Sequence, residues 1–229
     1  VEVMGGAGYD ALILDAQHGG VTWDRMGQLL QAADLSKTTS FVRVPWNSPD
    51  RIMRALDLGA AGVIVPMVST ARQAQQACEA MHYPPAGIRS FGMVRNYYGP
   101  EGATADPLCF VMIETAEAMA NLDAIASVPG VHGLFVGPVD LALSLGLGPV
   151  LEVHETVLEN IDKVVAACRR HNKISGSAAI GLPYARALLE RGVQFIAQGS
   201  DVAFLRRCAA MELEQLHVWR SERQARATT

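Results

Sequence analysis

Long apolar runs are missing from this sequence. Hydrophobic residues make up 50% of the 229 positions and mean hydropathy is +0.17, yet charged residues break every stretch well before the ~18 positions a membrane span requires. Basic residues are few and scattered, 19 against 23 acidic ones for a formal charge of -4, so no basic stripe for nucleic acid exists. Cysteine is sparse as well. Cys78, Cys109, Cys168 and Cys208 lie in apolar, periodic segments and form no CxxC pair. They read as reduced core residues. No glycine-rich GxGxxG turn follows a strand, which disfavours dinucleotide binding. The first residues lack a basic region, apolar run and small-residue cleavage site, so a cytoplasmic protein is expected.

What the sequence does contain is alternation. Short apolar segments that end in polar or special residues recur at 11–15 (ALILD), 40–44 (SFVRV), 62–66 (GVIVP), 109–113 (CFVMI), 133–137 (GLFVG), 174–177 (ISGS) and 194–198 (QFIAQ). Amphipathic, helix-length segments follow at 23–35, 49–58, 70–81, 116–127, 152–171, 183–191 and from about 201 onward. Ser48 before Pro49 reads as a helix start, and Gly59 and Gly192 as helix stops. Strand and helix in strict turn imply a parallel sheet in one domain, 1–229. Val1 to Met4, followed by Gly5 and Gly6, reads as the tail of a helix, which implies an earlier strand. The expected fold is therefore an α/β, (β/α)8 TIM barrel whose first strand is missing from this sequence, with an open doubly wound sheet as the alternative. Segment 83–108 breaks the rhythm and reads as a lid, binding loop or oligomer contact.

In such a barrel the chemistry collects where the strands end. Glu114 and Asp140 follow neighbouring strands, so their oxygens can meet at one hard-ligand site for Mg2+, Mn2+ or Co2+, able to stabilise the enolate of a 2-keto acid. Each carboxylate serves equally as a cap for the helix after its strand. Arg43 can donate two hydrogen bonds to an enolate or carboxylate oxygen, or form a structural ion pair with Asp15 or Glu114. Asp15 and His18 have the spacing of an imidazole oriented by a carboxylate for proton transfer. Ser175 to Ser177 also pass the strand-end filter. The turn at Gly137 to Asp140 offers the backbone N–H groups of Val139 and Asp140 to a substrate carboxylate, and reads equally as a plain strand-to-helix turn. Schiff-base chemistry is disfavoured by position: Lys37 precedes its strand, Lys163 is in mid-helix and Lys173 is at the wrong end of its strand.

In order and spacing, LDAQHGG, VRVPW, GAAGVIVPMV, YPPAGIRSFG, VMIET and GPVDLALSLG resemble the HpcH/HpaI aldolase family from about Val1 to Asp201. The resemblance implies a class II pyruvate aldolase that cleaves or forms 4-hydroxy-2-keto acids. Glu114 and Asp140 would bind the metal and Arg43 would stabilise the enolate. His18, oriented by Asp15, would handle the proton of the 4-hydroxyl through a metal-bound water. The family also implies hexamers, trimers of dimers, in which the last helix (about 201–219) is exchanged between subunits.

Two departures bear on substrate. Gln17 stands where many members carry Glu, and Met112 where some carry Gln. Trp46, the 83–108 loop and a neighbouring subunit would shape the aldehyde pocket, so the aldehyde is left open. His82, His132, His154, His171 and His217 match no catalytic position. Rival readings are a CoA-ester lyase of the citrate lyase β-subunit or malyl-CoA type, an oxaloacetate decarboxylase, and a keto-acid sensor without turnover.

Overall fold

A computed structural model describes residues 1–98 and 106–227. In chain order the elements are α1 (Glu2–Gly5), β1 (Ala11–Asp15), α2 (Trp23–Leu35), β2 (Thr39–Arg43), α3 (Pro49–Asp57), β3 (Gly62–Val65), α4 (Ala71–Met81), α5 (Arg95–Tyr98), β4 (Leu108–Ile113), α6 (Ala116–Ala120), α7 (Leu122–Ala126), β5 (Gly133–Val136), α8 (Pro138–Ser144), α9 (Glu155–His171), β6 (Ile174–Ala179), α10 (Leu182–Glu190), β7 (Phe195–Gln198) and α11 (Asp201–Ala227). All seven strands are parallel and pair in sequence order. Their C-terminal ends therefore share one rim.

The sheet is rolled. In a flat sheet β2 and β7 would lie ~24 Å apart, five strand spacings of about 4.8 Å. Instead the rings of Phe41 and Phe195 are 5.3 Å apart, and Phe195 also meets Phe110 and Phe135 at 5.2 and 5.8 Å. These contacts cross the barrel interior and rule out the open doubly wound alternative. Because side chains alternate across a strand, Phe41, Ile64, Phe110, Met112 and Phe135 fill the inside, while the opposite faces of the strands pack on the helices in a second, larger core.

Register explains how the rings fit. Phe41, Phe110 and Phe135 pair across to Gly62, Gly133 and Gly176 of the next strand. A Cβ at Gly62 or Gly176 would come within 2.7 Å of the facing ring, and one at Gly133 would overlap Phe110 outright. Large and small residues thus interlock around the barrel, the packing that lets a narrow interior close without voids.

Several expected boundaries move. The 116–127 helix breaks at Asn121 into α6 and α7, and the 152–171 helix begins at Glu155. Segment 83–108 contains α5 and is pinned by Arg89, which is buried, donates to Asp57 at 2.9 Å and lies over Tyr83; residues 99–105 of that segment lie outside the described residues. Ser175 and Ser177 are interior to β6 rather than at its end, and both are buried. Cys208 is exposed, unlike the other three cysteines. Helix α11 stands off the barrel, with Val202, Leu205, Met211 and Trp219 all exposed. Among the described residues no helix is long and apolar enough to cross a membrane.

Candidate active site

The rim receives its functional groups by the same alternation that fills the interior. Asp15 continues the inward face of β1 (Ala11, Ile13), Arg43 that of β2 (Phe41), and Glu114 that of β4 (Phe110, Met112). Asp15 and Arg43 are direct register partners. The guanidinium grips the carboxylate with two bonds, Nε to Oδ1 at 2.9 Å and Nη2 to Oδ2 at 2.6 Å. Burial alone would raise the Asp15 pKa, but the Arg43 hydrogen bond and charge, helped by the His18 and Gln17 N–H groups, hold it below the usual carboxylate value.

This arrangement alters the expected partnership of Asp15 and His18. Asp15 Oδ1 accepts from the backbone N–H groups of Gln17 and His18 at 3.0 and 3.2 Å, so it shapes the turn. It does not bond the imidazole, which is exposed and makes no hydrogen bond among the described residues. The spacing that suggested a carboxylate–imidazole pair instead makes an Asx-type turn. Arg43 is the side chain that Asp15 orients.

Glu114 sits just beyond β4 and is only 2% exposed. It does not cap the following helix; Thr115 does, accepting from the Ala118 N–H at 2.9 Å. One Glu114 oxygen, Oε1, accepts the Met67 N–H at 2.6 Å. At this contact Met67 has a left-handed backbone, φ 57°, uncommon for a residue with a side chain. The other oxygen lies against Gly137, where a Cβ would collide with it, and no hydrogen bond reaches it among the described residues. Burial pushes the Glu114 carboxyl above its ordinary pKa; the Met67 N–H offsets part of this, nearby Asp140 adds to the rise and Arg43 opposes it. Glu114, Asp140 and Arg43 therefore share one neighbourhood.

Asp140 is exposed in the first turn of α8, with Pro138 at the helix start, and its carboxylate bonds no other described residue. Val139 beside it is half-buried. Trp46 stands on the loop after β2 with 57% of its surface exposed. Beneath Glu114 and Gly137, buried Met112 gives the site an apolar floor. Side-chain ties brace the loops around it: Ser69 Oγ and Thr115 Oγ1 at 2.8 Å, Asn121 Nδ2 donating to the Ser69 carbonyl at 2.8 Å, and Ala116 N–H to Ser144 Oγ at 2.9 Å. Sequence reasoning missed Met67, because no residue-type signal marks a methionine for positive φ.

The donors fit a hard divalent cation. A buried carboxylate with an unpaired oxygen and a second, unpartnered carboxylate supply two anionic oxygens and nothing soft. Two carboxylate oxygens would fill only part of such an ion's shell, and its other positions would be open to substrate and water. The Gln17 Oε1, buried and unpartnered beside Asp15, is a further acceptor on the same turn.

Known proteins resemble this chain in sequence and in fold. The hydroxypyruvate/pyruvate aldolase of Rhizorhabdus wittichii is 37% identical over 214 residues, covering 89% of this chain and 84% of that protein. The 5-keto-4-deoxy-D-glucarate aldolase of Klebsiella pneumoniae is 40% identical over 215 residues, covering 90% and 82%. A crystal structure of an HpcH/HpaI aldolase/citrate lyase family protein from Burkholderia cenocepacia superposes with a TM-score of 0.86 at 31% identity, over 94% of this chain and 89% of that one. Residues 1–208 match the family as a whole, and this chain belongs to the HpcH/HpaI aldolase/citrate lyase family.

Proposed function

We propose that this protein is a divalent-metal aldolase, a carbon–carbon lyase that interconverts a 4-hydroxy-2-keto acid with pyruvate, or a close 2-keto acid, and an aldehyde. The observation that carries the proposal is Glu114, a buried carboxylate with one oxygen pinned by Met67 and the other unpaired, on the rim that also holds Asp140 and Arg43. The aldolase relatives, one named for hydroxypyruvate and pyruvate, point to the same 2-keto-acid half.

Glu114 and Asp140 would hold Mg2+, Mn2+ or Co2+, which supplies a Lewis acid for the charge that builds on the keto oxygen as the bond breaks. Arg43, preset by Asp15, donates to that oxygen and needs no reorganisation as the charge appears. The N–H groups of Val139 and Asp140, in the first turn of α8, are left outside that helix's own bonds and would receive the substrate carboxylate. The His18 imidazole, standing free on its turn, takes the proton of the 4-hydroxyl during cleavage and returns it in the forward direction. Trp46 borders the aldehyde side. Free thiols suit the reducing cytoplasm as the place of work. The exposed apolar side chains of α11 support its exchange between subunits of a hexamer, trimer of dimers.

The test is hydrogen exchange at the pyruvate methyl group in D2O, followed by proton NMR with EDTA and then with each metal restored. Metal-dependent exchange is expected. Pyruvate binding without exchange under any metal would overturn the aldolase reading in favour of a sensor.

A further inference from the structure

At the end of the barrel opposite Glu114, two cysteines from different elements meet. Cys78 of α4 and Cys109, the second residue of β4, bring their sulfurs to 3.8 Å. Cys109 is fully buried. Cys78, 6% exposed, borders a cavity of about 580 Å3 lined also by Arg72, Glu79, His82, Val128 and Gly130. One thiol therefore has an approach from solvent, and the other is buried behind it at 3.8 Å.

We infer that Cys78 and Cys109 are an oxidisable dithiol, a modification site at which a hydroperoxide closes a reversible disulfide between α4 and β4. A disulfide needs the sulfurs ~2.05 Å apart, so they must approach by roughly 1.8 Å. The open cavity beside Cys78 leaves its side chain room to turn.

The surroundings divide the roles. The Lys173 ammonium, held by the Val131 carbonyl at 2.7 Å, acts on both sulfurs. Contact with Cys109 holds the Cys78 thiol below its ordinary pKa, whereas the same contact, together with burial, pushes the Cys109 thiol up. Because Cys78 borders the cavity and Cys109 is fully buried, Cys78 is the nucleophile and Cys109 the resolving thiol.

In the first step the Cys78 thiolate attacks one peroxide oxygen, the O–O bond breaks, and the hydroxide released takes up a proton as water, leaving Cys78 as a sulfenic acid. In the second, the Cys109 sulfur attacks the Cys78 sulfur and the S–O bond breaks. The departing hydroxide takes the Cys109 proton as a second water. Two thiols and one hydrogen peroxide give one disulfide and two waters; sulfur is oxidised and peroxide reduced.

The full-length Cys208→Ser variant removes the exposed thiol that would otherwise couple between molecules. It is treated while folded with hydrogen peroxide, quenched with catalase, then denatured for thiol counting and peptide mapping. Three free thiols should fall to one, with Cys78 and Cys109 in one cross-linked peptide, and dithiothreitol should restore all three. Three thiols surviving, a Cys78 sulfinic acid beside free Cys109, or a cross-link to Cys168 would each overturn the inference. Adding Cys109→Ser to the same background should leave a Cys78 sulfenic acid that dimedone traps, whereas an unlabelled Cys78 would overturn the assigned order of attack.

Discussion

Asp15→Asn separates two roles for one carboxylate. Asparagine keeps the shape and the turn-forming oxygen but replaces the oxygen facing Arg43 Nη2 with a neutral amide and removes the charge. The pair is about a quarter exposed, with side chains 23% and 27% accessible. Removing one partner of a fully buried pair costs about 3–5 kcal/mol and of a surface pair about 0–1. An intermediate loss of about 2 kcal/mol is expected, read as a melting temperature lower by about 4–8 °C for a domain of this size. The pH sign follows from the depressed Asp15 pKa. Its contribution is full above the unperturbed value of 3.8 and is lost as pH falls through the lower folded value, so wild-type and variant stabilities should converge in acid. Catalysis should suffer more than binding, because a guanidinium off its position misses charge that exists only in the transition state. We expect kcat to fall about 100-fold, ~2.7 kcal/mol, with KM little changed. A double-mutant comparison decides the role. If Asp15 served the His18 imidazole instead, Asp15→Asn would cost nothing further in kcat on a His18→Ala background; that result, or a kcat within about threefold of wild type for Asp15→Asn alone, refutes the argument.

Glu114→Gln should abolish metal-dependent pyruvate exchange and, without metal, stabilise the fold near neutral pH. The raised folded pKa means that metal-free wild type loses stability as pH rises from 4.5 through that value, a slope the glutamine variant should lack in denaturant melts. Saturating metal, at 100 times its Kd, should add about 2.7 kcal/mol to wild type and nothing to the variant. Gly137→Ala places a methyl group where Glu114 Oε2 lies and 3.1 Å from Met112 Cε. We expect a drop of about 100-fold or more in activity and loss of the metal-induced rise in melting temperature, and wild-type activity would show that Oε2 is not needed there. On α11, Leu216→Glu with Trp219→Glu should lower the mass seen by light scattering, and a mass unchanged from wild type would reject helix exchange.

The strands and the inward face of each were legible because period-two alternation is a local property of the chain: Ile13 and Asp15, Phe41 and Arg43, Met112 and Glu114 each differ by two. Which charge meets which was not. Asp15 is three residues from His18 and 28 from Arg43, yet the bidentate bond goes to the distant partner, because parallel register places those side chains directly across from one another. Met67 was invisible for a different reason: the rim's tertiary bonds impose its left-handed φ against the preference of its residue type. Gly137 joins the two cases. Read along the chain, it is a turn glycine before Pro138. Read across the sheet, it continues the pairing of Phe110 with Gly133 four residues further on, one strand's large side chain seated over the next strand's missing one. The rule that closes the hydrophobic interior around phenylalanine thus accommodates a buried carboxylate at the rim. That common geometry is why a carboxylate as poorly solvated as Glu114 can stand at the top of an apolar stack without a helix to cap, and why adding a single carbon at Gly137 should cost function more than fold.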